Sequence, residues 1–296
     1  MTNKRICILC LVVICFFISA YTLMADEGKL APTQVTSQIY MLSGKGGNVG
    51  VFMGDDGTFL IDDNFAPMTE SMVKTIKSLG GTHPRFLINT HYHADHTGGN
   101  ENIGQGGTLI FSHDNVRERL VTGSYLEPFE AQLEPTQAPG LPVVTFSEGI
   151  SFHINGETVA AIHVGHAHTD GDSFIIFENA NIIHAGDLFF NGFYPFIDVH
   201  HGGSLKGMIR GVEELMSLSD DNTRIIPGHG PLADKNQLRQ YQKMLQTAYD
   251  RLRVLKADGY SAKDAAEENP LADLEEEWGD GLFKGSRWIE IIYPGI

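Results

Sequence analysis

Thr90-His91-Tyr92-His93-Ala94-Asp95-His96-Thr97-Gly98-Gly99-Asn100 sets three imidazoles and a carboxylate within six residues. The apolar stretch Phe86-Leu87-Ile88 ahead of it reads as a buried strand closed by Asn89-Thr90, and a glycine pair follows. The cluster therefore occupies a strand-to-helix loop. In an extended segment His91, His93 and Asp95 share one face and His96 does not, so the chain must turn near Ala94 to aim His96. A turning loop of this kind can serve two neighbouring metals. Neutral imidazole suits zinc and a carboxylate adds charge and an oxygen ligand, which favours zinc over calcium or magnesium and leaves iron and manganese as alternatives. The bland alternative is a polar surface loop rich in histidine; an expression tag does not suit an internal, interrupted cluster.

Further ligand-type residues follow three more apolar runs. Thr158 to Val164 leads into Gly165-His166-Ala167-His168-Thr169-Asp170-Gly171-Asp172, Asn181 to Gly186 leads into Asp187, and Arg224-Ile225-Ile226-Pro227-Gly228 leads into His229. Three strands that each end in a ligand near a glycine would gather those groups at one edge of a sheet, where loops on a rigid scaffold carry sites.

These motifs resemble the metallo-β-lactamase-fold superfamily. Its signature His-x-His-x-Asp-His stands at His91 to His96, its glycine-flanked histidine followed by threonine at His168-Thr169, its Gly-Asp at Gly186-Asp187 and its Pro-Gly-His at Pro227-Gly228-His229. The likeness runs from about Gln38 to Pro231. It implies an α/β fold, a four-layer αββα sandwich, with metals at one sheet edge; periodicity alone says only mixed α and β. It also implies two Zn2+ per chain, one held by His91, His93 and His168, the other by Asp95, His96 and His229, with Asp187 bridging. His166 competes with His168, but Thr169 places His168 in the pattern.

One departure narrows the resemblance. Many class B β-lactamases carry a cysteine ligand where this chain has Asp187, and its only cysteines are Cys7, Cys10 and Cys15. Aspartate there is more similar to glyoxalase II and the acyl-homoserine lactonases. Flavodiiron proteins resemble a pattern with glutamate at the place of His93, and no flavin module follows. The expectation is a zinc-dependent hydrolase that activates a water between two metals, with Asp95 orienting the nucleophile, to open a cyclic or activated acyl bond. β-Lactams rank first, lactones or thioesters are the alternative, and a non-catalytic metal-binding protein is the competing class.

Residues 1–25 have the pattern of a secretory signal peptide: Lys4 and Arg5, the apolar run Ile6 to Ile18, and Leu23-Met24-Ala25 before Asp26. The run is short for a membrane span, and neither Leu9 nor Ile14 is the small residue expected before a lipidated cysteine. The expectation is a periplasmic or secreted protein with no stable membrane association after cleavage. Residues 26–296 would form one metallo-β-lactamase-like domain with a C-terminal helical extension, free of disulfides. The formal charge of −16 becomes −18 without Lys4 and Arg5. Such a surface repels phosphates, so the expected partner is a small-molecule substrate and not nucleic acid.

Gln38 to Leu42, Val49 to Met53 and Thr58 to Ile61 read as short strands. Helical stripes run from Met68 to Leu79, from Leu205 to Met216 behind a Ser204 cap, and from Leu238 to Leu255 behind an Asp234/Gln237 capping box. A short helix is expected in the acidic segment 261–280, and a final strand or buried tail at Trp288 to Tyr293. Asp172 and His184 are candidates for orienting ligands, with a core role equally open to His184. His200 and His201 are candidates for facing substrate. The aromatic run from Phe189 to Phe196 either lines a pocket or packs over the sheet edge, and Tyr194 is a candidate donor to a substrate oxygen.

Overall fold

The computed structural model describes residues 29–296, so the signal-peptide expectation and the three cysteines lie outside the described residues. Strands β1 (Ala31–Gln34), β2 (Ile39–Ser43), β3 (Val49–Gly54) and β4 (Gly57–Ile61) form an antiparallel meander. Helix α1 (Thr69–Ser78) then crosses to β5 (Pro84–Ile88), which pairs parallel with β4. Two short helices, α2 (Ala94–Thr97) and α3 (Asn100–Gln105), precede β6 (Leu109–His113). After α4 (Asp114–Thr122), a separate hairpin of β7 (Ser124–Leu126) and β8 (Ala131–Leu133) interrupts the path to β9 (Val144–Phe146), which completes a seven-stranded sheet.

The second sheet has six strands: β10 (Gly149–Ile154), β11 (Glu157–His163), β12 (Ser173–Phe177), β13 (Ile182–Phe190), β14 (Arg224–His229) and β15 (Ala233–Asp234). Only β13 and β14 pair in parallel, through α5 (Leu205–Leu218). The long α6 (Lys235–Ala257) follows, then α7 (Ala262–Glu267), α8 (Glu275–Trp278) and α9 (Gly285–Ile292).

Strand alternation builds the layers. Phe52, Phe59 and Ile88 meet Phe177, Ile182 and Ile226 in the core between the sheets. Their neighbours Val51, Leu60 and Leu87 turn to the other face, against Met72 and Ile76 of α1. Ile183 and Ile225 turn outward to Met208 and Val212 of α5 and to Leu238, Tyr241 and Leu245 of α6. Both sheets are thus buried on two faces, which produces the αββα order. The expected caps are present: Ser204 accepts from the Gly207 amide, and Asp234 and Gln237 form a reciprocal capping box.

Two local expectations are corrected. Trp288 to Tyr293 is buried as expected but is helical and not a strand, because Trp288, Ile289 and Ile292 fall on one face of α9 and bury together. The indole N–H of Trp288 donates to the Pro195 carbonyl at 2.6 Å, so burial leaves no orphan donor. The acidic segment holds two short helices, α7 and α8, in place of one.

Candidate metal centre

The sheet edge gathers the ligand-type residues from four places in the chain. The chain bends through Thr90, His91 and Tyr92 after β5, His93 is extended, and α2 begins at Ala94, so the expected turn swings Asp95 and His96 round to the same side. His168 comes from the loop after β11. His229 ends β14 as expected, whereas Asp187 does not end its strand, since β13 continues to Phe190. The pairing register breaks around Gly186, whose φ is +51°, and this local distortion turns the Asp187 carboxylate to the site. A Cβ on Gly228 would stand 2.0 Å from Asp187 Oδ1, so the glycine of Pro227-Gly228-His229 makes room for that carboxylate.

Two groups of ligand atoms result: His91, His93, His168 and Asp187, all buried, and Asp95, His96 and His229 beside them. His93 Nδ1 is 3.1 Å from His91 Nε2 and 2.9 Å from His168 Nε2. Asp187 lies between the groups, with Oδ2 3.4 Å from both His168 Nε2 and His229 Nε2, and Oδ1 3.1 Å from His96 Nε2. In the second group Asp95 Oδ2 is 3.2 Å from His229 Nε2 and 3.6 Å from His96 Nε2.

The outward nitrogens explain why these rings face one another. His168 Nδ1 donates to the Phe196 carbonyl at 2.8 Å, and His96 Nδ1 meets Asp62 Oδ2 at 2.8 Å. Thr90 Oγ1 donates to Asp62 Oδ2, which leaves it to accept from His91 Nδ1 at 3.1 Å. His93 Nε2 meets Asp198 Oδ2 at 3.1 Å. With their outer nitrogens so engaged, the inner nitrogens of four imidazoles crowd one another around the Asp187 carboxylate, an arrangement that a cation relieves. Asp187 Oδ1 is buried with no hydrogen-bond partner although His96 Nε2 is close by, so the two are not aligned as donor and acceptor. Ligands about 2.0–2.1 Å from one tetrahedral zinc stand about 3.3–3.4 Å apart, so nitrogen spacings of 2.9–3.1 Å gather the donors slightly more tightly than that geometry. The residues fit a metal site.

The electrostatics divide the imidazoles: against burial, Asp187, Asp95 and Asp62 raise His96 well above its usual range, and Asp187 and Asp95 raise His229 to about 9. Burial pushes the His91 imidazole well below its usual range, and His168 down to about 4, which keeps both neutral. Burial also opposes ionisation of Asp187, but the neighbouring imidazoles, His96 and His229 foremost, outweigh it and hold the carboxyl well below its usual range. For Asp95 the same contest, with His96 and His229 opposing burial, ends at about 2.

Residues 42–229 match the model of the metallo-beta-lactamase superfamily. The chain belongs to that superfamily. Solved structures similar to it include a metallo-beta-lactamase from Pontibacter korlensis, at 20% identity and TM-score 0.59 over 74% of this chain and 99% of that one. DIM-1 metallo-beta-lactamase aligns at 17% and 0.60 over 74% and 98%. A double mutant of the sec-alkyl sulfatase PisA1 aligns at 14% and 0.68, covering 89% of this chain and 50% of that one. At these identities the likeness shows the shared fold.

Around this superfamily site, two carboxylates carry roles that the sequence reading missed. Asp62 binds the Thr90 amide and hydroxyl as well as His96. Asp198 accepts from Tyr92 Oη at 2.5 Å and contacts His93 and, at 2.9 Å, His201. Buried polar residues directly after an apolar strand, Asp62-Asp63-Asn64, were the available signal for the first. Asp172 orients the ligand loop through backbone, accepting from the His168 and Thr169 amides, and His184 Nδ1 accepts from the Gly186 amide beside Asp187. His200 pairs with Glu127 away from the site. The aromatic run divides: Phe190 and Phe196 line a cavity over the ligands, whereas Phe189 packs on Tyr241 in the core. Tyr194 stacks on Trp288 at 4.5 Å with its hydroxyl buried, so it cannot donate to a substrate.

Asp198→Asn keeps the shape and removes the charge behind His93. It is expected to weaken metal binding about 10- to 100-fold in a competition titration against a chromophoric chelator. Unchanged affinity would show that His93 needs no such support.

Proposed function

We propose that this chain is an exported dinuclear zinc hydrolase that opens a cyclic or activated acyl bond, with β-lactams first and lactones or thioesters next. The observation that carries it is the pair of ligand groups joined through Asp187 at the floor of one cavity. His91, His93 and His168 would hold one zinc, Asp95, His96 and His229 the other, with Asp187 shared. Neutral imidazoles with two carboxylates suit zinc. Bound metals supply Lewis acidity and lower the pKa of water from ~15.7 toward ~7.

The chain's own residues do the rest. Asp95 faces the cavity with part of its carboxylate exposed, placed to orient an attacking water and take its proton. Asp62, Asp198 and the Phe196 carbonyl fix the imidazoles, so the donor set is preorganised. Phe190, Phe196 and Leu133 exclude bulk water from the floor. Aspartate at 187 in place of cysteine favours lactones as the second reading.

Export rests on the sequence pattern of residues 1–25; among the described residues no helix is long and apolar enough to cross a membrane. Amino-terminal sequencing of the mature protein should start at Asp26.

The deciding experiment is a panel of β-lactams, lactones, thioesters, phosphodiesters and a secondary alkyl sulfate on zinc-loaded protein with its metal content measured. β-Lactam opening is the expected result. Rapid lactone opening without β-lactam cleavage reverses the ranking, and two bound metals with no turnover of any substrate leaves a binding protein.

A further inference from the structure

The cavity above the ligand groups has a volume of about 450 Å³, and its walls are far less polar than its floor. Leu126, Phe129 and Leu133 of the β7–β8 hairpin face Phe190, Phe196 and, from the C-terminal segment, Leu282. Phe129 is 42% exposed and Leu282 53% exposed. Isolated exposed apolar residues are ordinary, but these two meet at the mouth of one cavity. The hairpin is held in place there: Phe129 packs edge-on against Phe196 at 5.0 Å and at a tilt against Phe283 at 5.6 Å. The walls are therefore a standing apolar surface with room for a ligand.

Lys45 is the one lysine or arginine lining this cavity, on the loop between β2 and β3, and no ion pair to it is found among the described residues. Its loop is tied to the ligand loops. The Gly47 amide donates to the Asp95 carbonyl at 3.2 Å, the Asn48 amide donates to the Gly228 carbonyl at 2.7 Å, and Asn64 Nδ2 donates to the Gly47 carbonyl at 2.7 Å. The acidic Glu127 of the hairpin is engaged outside by His200.

We infer that the site takes an amphipathic substrate, with an apolar acyl or aryl group between the hairpin and the C-terminal segment and an anionic group, such as a carboxylate, at Lys45. This rests on the hydrolase reading above and specifies its substrate class. The apolar group packs on Phe129, Phe196 and Leu282, the anion meets the Lys45 ammonium at the rim, and the scissile bond lies between them over Asp95 and Asp187.

The test is calorimetric titration of zinc-loaded full-length mature protein with butanoate, hexanoate, octanoate and 1-octanol. Affinity should rise about three- to fourfold per added methylene. Lys45→Ala should weaken octanoate about three- to fivefold and leave 1-octanol unchanged. Leu282→Ser should weaken both about tenfold. Affinity independent of chain length overturns the proposal, as does octanoate binding indifferent to Lys45→Ala, which would send the carboxylate to the metals. Binding is scored without turnover, so the two readings can fail separately. Chain-length-dependent binding with no hydrolysis of any substrate retires the hydrolase and keeps the amphipathic site. Hydrolysis that treats short neutral and long anionic substrates alike does the reverse.

Discussion

Asp187→Asn is expected to reduce bound zinc from two per chain to one or fewer and to lower hydrolysis by roughly a thousandfold or more. The carboxylate stands between the two ligand groups, within 3.4 Å of His96, His168 and His229, and none of its neighbours can replace its charge. An amide of the same shape leaves nothing anionic between the two groups, with Asp95 the one carboxylate remaining among the seven ligand-type residues, so two divalent ions held side by side repel with little to offset it. Elemental analysis of the purified variant and initial rates on the best substrate of the panel measure the two effects. Retention of both metals would remove Asp187 from the bridging role.

Stripping the metals with a chelator should abolish turnover and lower the melting temperature by on the order of 10 °C, with both restored by zinc. Activity disappears because Asp95 can orient and deprotonate a water but cannot alone bring its pKa near neutrality. Stability falls because each metal, saturated about a hundredfold above its dissociation constant, contributes about 2.7 kcal/mol to the folded state. The buried imidazole lone pairs and the unpartnered Asp187 Oδ1 then have no cation. Full activity in protein verified as metal-free would sink the mechanism.

The architecture was legible because its signals are local and repeated. Alternation in Val51-Phe52 and Phe59-Leu60, and the stripes of α1, α5 and α6, can be read from one stretch of chain at a time. The seven ligand-type residues stood out because three imidazoles and a carboxylate packed into six residues are rare, and the structure brings all seven together. The roles of Asp62 and Asp198 went unread for the opposite reason. Asp62 is marked only as part of a polar run after a strand and Asp198 not at all, and only folding puts each behind a histidine, 34 residues away for Asp62 and His96 and 105 for Asp198 and His93. Tyr194 was misread because its place in an aromatic run says nothing of side-chain direction. The run alternates between cavity and core, and Trp288, 94 residues later, holds Tyr194 on the core side. The same long-range partner made α9 a helix where Trp288 to Tyr293 had looked like a strand.

The superfamily match stops at His229, which is the last of the seven ligand-type residues. Leu282 at the cavity mouth, and Phe283 that braces the hairpin, come from chain beyond that point. The bond-breaking apparatus and part of the gate that admits a substrate are therefore encoded in successive stretches. Substitutions after residue 229 can retune which molecules enter while every ligand stays in place, so two descendants of this chain could keep identical metal chemistry and diverge in diet.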